Sequence, residues 1–261
     1  MTESLELLFA RADELLDRTR RQMITTFTDF LTPREQMQLS RHLAGAADEW
    51  CLLGGYETAE RRRMVFMPAY FAELEQADRA DALQEALADC LIPLEIRGSG
   101  YRELSHRDFL GALLHLGVER DRIGDICVLS PYRAILFCDR VMADFFTQHL
   151  TRVANDAVRL STVTLPADFD GGRQFQSVGD TVASPRADAV VAALANLSRE
   201  KAQALFREGR VEIDYEPEAR VDRTVEAGAV IVIRGCGKFI VRSLSDKTRK
   251  GRYRLLADRY V

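Results

Sequence analysis

The chain lacks any apolar run near the roughly 18 residues that a bilayer-spanning helix needs. Its opening stretch, MTESLELLFARADELL, sets acids among leucines where a secretory signal would carry a basic and then an apolar region. The expectation is a cytoplasmic protein with no membrane partner. Paired cysteines are missing too: Cys51, Cys90, Cys127, Cys138 and Cys236 are odd in number, scattered and never in a C-x-x-C pair. They read as reduced thiols, mostly in cores, with no metal or disulfide role. Neither a G-x-G-x-x-G after a strand, a Walker loop, a G-x-S-x-G elbow nor a group of His/Cys/Asp ligands occurs. His106-Arg107-Asp108 matches a kinase catalytic triplet in letters alone, without the glycine-rich loop or D-F-G that the chemistry needs, and helix capping accounts for it. His42, His106, His115 and His149 read as surface or packing residues. No catalytic residue, cofactor or metal is expected.

What is present begins with size: 261 residues at 47% apolar content suffice for one large domain or two to three small ones. The net charge of −4 hides an asymmetry. Residues 1–182 hold 20 Arg and Lys against 29 Asp and Glu, whereas residues 183–261 hold 16 against 11. Between Arg234 and Arg254 there are eight basic residues and one acid, Asp246. A local field of that strength seeks polyanions.

Periodicity and punctuation divide the chain. Residues 1–80 read as a helical region with one short strand: Leu5, Leu8, Phe9, Ala12, Leu15 and Leu16 share a helical face. Thr32, Pro33 and Glu35 open a second helix as cap, first position and capping box, with Gly54-Gly55 closing the region. A strand is expected over Met64 to Met67. The preceding Arg61-Arg62-Arg63 reads either as a contact site for protein or tRNA or as a solvated strand entry. Over residues 81–165 the elements run βαββαβ, the order of a ferredoxin-like sandwich that many RNA-recognition domains share. Ser105 and Asp108 cap its first helix. Residues 166–182, with Gly171-Gly172 and dispersed acids, read as a linker or loose hairpin.

The last segment, 183–261, is expected to hold two short helices against a small bent antiparallel sheet. Ser184 caps and Pro185 opens the first helix, Ser198 caps the second, and Gly209 ends it. Val211, Ile213 and Tyr215 alternate along a strand, and Gly235-Cys236-Gly237 joins two more. Arg186, Arg199 and Lys201 fall in first turns, where the helix dipole disfavours cations unless an anion docks there.

These residues carry a resemblance. SPRADAVVAAL, LSREKAQALFREGRVEID and AGAVIVIRGCGKF, across Ser184 to Val241, resemble the alpha-L RNA-binding motif, known as the S-four domain, with departures at Ala187, Asp214 and Ala229. With PLEIRGSGYRELSHRDFLGALLHLGVERDRIGDICVL in the middle and RGCGKFIVRSLSDKTRKGRYRL at the end, the whole chain resembles the YlmH family. That family pairs an RNA-recognition-like middle domain with a C-terminal S-four domain. What the resemblance implies is an α+β protein of ribosome-associated quality control, binding the large ribosomal subunit with a stranded peptidyl-tRNA.

The expected function is therefore non-enzymatic binding of structured RNA, ribosomal RNA or tRNA or both. Arg186, Arg199, Lys201, Arg207 and Arg210 are the expected backbone contacts, and Arg234, Lys238 and Arg242 extend the patch along the hairpin. Lys247, Arg249, Lys250, Arg252 and Arg254 form an adaptable extension that orders on contact, with Tyr253 available for stacking. The glycines at 235 and 237 let the backbone approach the sugar-phosphate chain. The acidic N-terminal domains offer surfaces for protein partners. An RNA-modifying enzyme carrying an S-four domain and a division-linked adaptor are the alternative readings.

Overall fold

In the computed structural model, residues 3–88, 90–172, 175–248 and 251–260 are described. They form two compact units, Met1–Gly172 and Arg173–Val261, and mixed helix and sheet make the fold α+β.

The first unit begins with α1 (Glu3–Gln22), β1 (Thr26–Phe27) and α2 (Pro33–His42), followed by β2 (Trp50–Leu53) and β3 (Arg63–Phe66). The capping box read at α2 is formed: the Thr32 hydroxyl accepts from the Glu35 backbone N–H, and the Glu35 carboxylate accepts from the Thr32 N–H. The short strands make a sheet in the order β1-β3-β2. Strand β2 is an addition to the expected pattern, because Trp50 to Leu53 are all half-buried and show no alternation to read. Ala12, Leu16, Leu31, Leu39, Met64 and Phe66 form the core between α1, α2 and this sheet.

After α3 (Gln76–Leu87) come β4 (Ile92–Gly98), α4 (His106–His115), β5 (Ile126–Ser130), β6 (Arg133–Cys138), α5 (Arg140–His149), β7 (Arg152–Val153) and β8 (Asp156–Thr162). The order is βαββαβ with one extra two-residue strand. The sheet runs β5-β6-β4-β8-β7, entirely antiparallel. Leu94, Ile96, Ala134 and Leu136 face α4 and α5, packing on Phe109, Leu113 and Phe146. Strand alternation sends Ile135, Phe137 and Cys127 to the opposite face. There Phe30, Tyr56 and Phe169 cover them.

Arg61, Arg62 and Arg63 answer to neither expectation. Arg63 is 1% exposed, donates to Asp139 at 3.0 Å, and lies over the Phe30 ring at 4.4 Å. Arg61 donates to the carbonyls of Ile123, Phe30 and Arg120, and Arg62 to those of Ala59 and Glu57. The cluster is an internal tie between segments, because carbonyls left open by loops need donors that a long guanidinium can supply.

The second unit comprises β9 (Phe175–Val182), α6 (Ala187–Leu194), α7 (Arg199–Arg207), β10 (Val211–Ile213), β11 (Glu216–Pro217), β12 (Val230–Ile233), β13 (Gly237–Lys247) and β14 (Tyr253–Tyr260). Its sheet runs β11-β10-β12-β13-β14-β9. Two features depart from the sequence reading. The second half of the stretch read as a linker or loose hairpin is β9, and the stretch read as an adaptable extension contains β14, which pairs with β13 on one side and β9 on the other. Leu255 and Ala257 are the reason: they are 2% and 0% exposed and join Phe239, Val241 and Val182 in the core under α6 and α7.

Candidate nucleic-acid interface

Arg186, Arg199 and Gln203 converge on one carboxylate. Asp188, in the first turn of α6, is 0% exposed. It accepts from Arg199 at 3.0 and 3.1 Å, from Gln203 at 2.9 Å, and from Arg186 at 3.3 and 3.4 Å. Burial opposes its ionisation, but the hydrogen bonds from Arg199, Gln203 and Arg186 outweigh that and bring its carboxyl down to about 2. Two half-exposed guanidinium groups thus share one negative charge. The result is a rigid, net positive cluster where α6 and α7 begin.

The first helix starts later than expected. Arg186, not Ser184, is the N-cap of α6, and its side chain makes no cap hydrogen bond. Backbone groups do that work instead: the N–H groups of Ala187 and Asp188 donate to the carbonyls of Arg223 and Val221. An anion at this helix end finds those donors already used, which corrects the expectation of backbone docking there. At α7 the Ser198 cap is formed, accepting from the Lys201 N–H at 3.3 Å. Gly209, at φ +63°, ends that helix as expected.

The remaining cations divide by partner. Arg210 donates to Glu208 and to the Arg234 carbonyl, Arg234 to Glu212, and Arg242 to Asp258 at 2.7 Å. Arg252 bonds the hydroxyl and carbonyl of Thr181 across the β14–β9 ladder. Lys238 lies over two rings, Tyr215 at 5.0 Å and Tyr260 at 4.6 Å. Among the described residues, Lys201, Arg207 and Arg254 are exposed and have no ion-pair partner. Arg249, Lys250 and the side chain of Lys247 lie outside the described residues.

Tyr253 is half-buried and packs against the core with part of its ring exposed. Gly235 and Gly237 hold φ of +88° and +135°, and a Cβ on Gly235 would come within 2.9 Å of the Arg210 guanidinium. Positive φ suits both positions to glycine, with Arg210 packed close to Gly235 and Arg259 close to Gly237. Asp214, one of the departures from the S-four pattern, takes φ +54° and accepts from Arg223 at 2.6 Å and from the Val230 N–H at 3.1 Å.

Sequence reasoning missed other groups. Arg259 donates to the Cys236 carbonyl and lies 6.0 Å from the Phe239 ring centre, beyond the basic run that drew attention. Phe175 and Tyr260 meet edge-on at 5.1 Å, and only their pairing across β9 and β14 brings them together. In the first unit, Arg133, Arg97 and Arg159 stand in direct register across β6, β4 and β8. Arg97 and Arg133 both grip Glu95, whose side chain is 8% exposed. Their face is the one whose other end Phe30, Tyr56 and Phe169 cover, so the open part of that sheet is cationic.

A family model described as a putative RNA-binding domain in YlmH matches residues 94–167. The ribosome-associated protein quality control protein P2 of Bacillus subtilis (strain 168) is 32% identical over 232 residues, spanning 89% of this chain and 86% of that protein. Among solved structures, the cell division protein ylmH from Streptococcus pneumoniae is similar over 65% of this chain and 97% of its own, with a TM-score of 0.49 and 18% identity.

Proposed function

The chain belongs to the YlmH family, and from that membership we propose that it is a ribosome-associated RNA-binding protein of translational quality control. In this reading it is not an enzyme. It binds the large ribosomal subunit carrying a peptidyl-tRNA, and it works in the cytoplasm, where ribosomes are. No helix among the described residues is long and apolar enough to cross a membrane.

The observation that carries the reading is the Arg186–Asp188–Arg199 cluster. Two guanidinium groups locked by one buried carboxylate present a surplus positive charge without a further entropy cost on binding, a suitable grip for the phosphates of a folded RNA. Arg207 follows Gln203 by four residues and so lies along the same side of α7. Lys201, Arg210, Arg234, Lys238, Arg242, Arg252 and Arg254 are proposed as further phosphate contacts of the unit, with Lys238, Arg242 and Arg254 on the face of the sheet away from the helices, while Arg249, Lys250 and Lys247 enter through their charge alone. Such contacts read RNA shape more than sequence.

The test uses Lys201→Glu with Arg207→Glu, since neither side chain belongs to the Asp188 cluster. Sedimentation of the full chain with purified large subunits should fall at least tenfold in apparent affinity, with the urea unfolding midpoint unchanged. Undiminished co-sedimentation of a folded double variant would sink the proposed surface.

A further inference from the structure

The second unit has another face. Its helices cover one side of the six-stranded sheet, where Val211, Ile213, Ile231, Phe239 and Leu255 are buried. Alternation turns the neighbouring residues to the other side. There Glu212, Val232 and Lys238 stand in register across β10, β12 and β13, and Tyr260 and Phe175 continue the line across β14 and β9. The Tyr215 ring reaches over Lys238 from the turn after β10. Arg242, beside a bulge in β13, sits 5.6 Å from the Phe175 ring while bonded to Asp258. Phe175 is 40% exposed and Leu256, on the same side, is 43% exposed.

Three rings and two cations therefore share this face, each ring with a cation against it: Tyr215 and Tyr260 flank Lys238, and Phe175, edge-on to Tyr260, meets Arg242. We propose that this row is a platform on which unpaired RNA bases stack, distinct from the helix-side cluster around Asp188. An aromatic edge or face at each step accepts any base, and a cation beside each ring meets the phosphates that link successive bases. Among the described residues, the anions on this side, Glu212 and Asp258, are each already held by an arginine, Arg234 and Arg242. Charge complementarity thus favours a polyanion over an apolar protein segment. Phe175 and Tyr260 lie outside the stretch, Ser184 to Val241, that resembles the S-four motif, so the platform is an elaboration contributed by β9 and β14. The proposal rests on the RNA-binding reading above and deepens it by naming unpaired nucleotides as the ligand.

Phe175→Leu with Tyr260→Leu in the full chain removes both rings while keeping apolar area, with the urea midpoint as the folding check. Two probes are titrated: a single-stranded 12-nucleotide RNA carrying 2-aminopurine, and a fully paired RNA hairpin. The double variant should bind the single strand at least about tenfold more weakly and lose the 2-aminopurine quenching, with hairpin affinity unchanged. Lys238→Gln, which leaves the rings in place, should lower the salt slope for the single strand by about 0.7. Single-strand affinity and quenching equal to wild type would overturn the proposal. So would loss of ribosome co-sedimentation with single-strand binding intact, which marks a protein occupant. Failure of the RNA-binding reading looks different, because the unmodified chain would then bind neither RNA probe nor the subunit.

Discussion

Asp188 shows what a single residue contributes here. An acid in a helix's first turn is expected on dipole grounds alone. Its complete burial needs Arg199, eleven residues later, and Gln203 one turn beyond, and no local pattern announces that. Its carboxyl, ordinarily at 3.8, is held at about 2 in the fold, so the cluster's stabilisation is present above about pH 4 and is lost as pH falls towards 2. Replacing Asp188 with Asn should abolish that part of the acid sensitivity. Unfolding free energies of the two proteins from urea titration should differ most at neutral pH, by about 2 kcal/mol for loss of charge-assisted bonds, and converge near pH 2. Parallel pH profiles would contradict the cluster's role. Arg63 teaches the same lesson from the other sign: a strand-entry arginine reads as a contact site or as solvated, yet it is the largest fully buried side chain among the described residues.

Elements were legible where a local signal suffices. The caps at Thr32, Ser105 and Ser198 all form, because a cap needs only a hydroxyl and an N–H three residues away. The start of α6 was not, since its first N–H groups are satisfied by carbonyls near residue 222, supplied by tertiary contact. Strands β9 and β14 escaped for a related reason: β9 carries a glycine among small polar residues and β14 carries three charges, so neither shows clean alternation, and their apolar positions matter only once the two are paired. Removing residues 248–261 is therefore not the loss of a free extension. Leu255 and Ala257 leave the core, β9 loses its partner, and burial of that size is worth about 2–3 kcal/mol before ladder hydrogen bonds are counted. The truncated protein should show a lower urea midpoint and fast proteolysis within residues 175–248. A native-like midpoint would refute the structural role of β14.

For the whole molecule the governing quantity is charge separation: an acidic first part and a basic second part in a chain of net −4. If roughly five to eight cations neutralise phosphates, log affinity for ribosomal RNA should fall against log salt with a slope of about −4 to −7. Fluorescence titration of the full chain from low to moderate salt measures it, and a flat response would exclude phosphate contacts as the main source of affinity. That asymmetry, the βαββαβ order, the caps at Thr32, Ser105 and Ser198 and the family resemblance were all determined by the sequence, because each depends on residue type and short spacing. Which cations are locked, which are open, and which rings meet them was decided by tertiary structure alone. A charge's role depends on the carboxylate, carbonyl or ring that packing brings beside it, and Asp188, Thr181 and Tyr260 reach their arginine and lysine partners only through chain folding over 11, 71 and 22 residues.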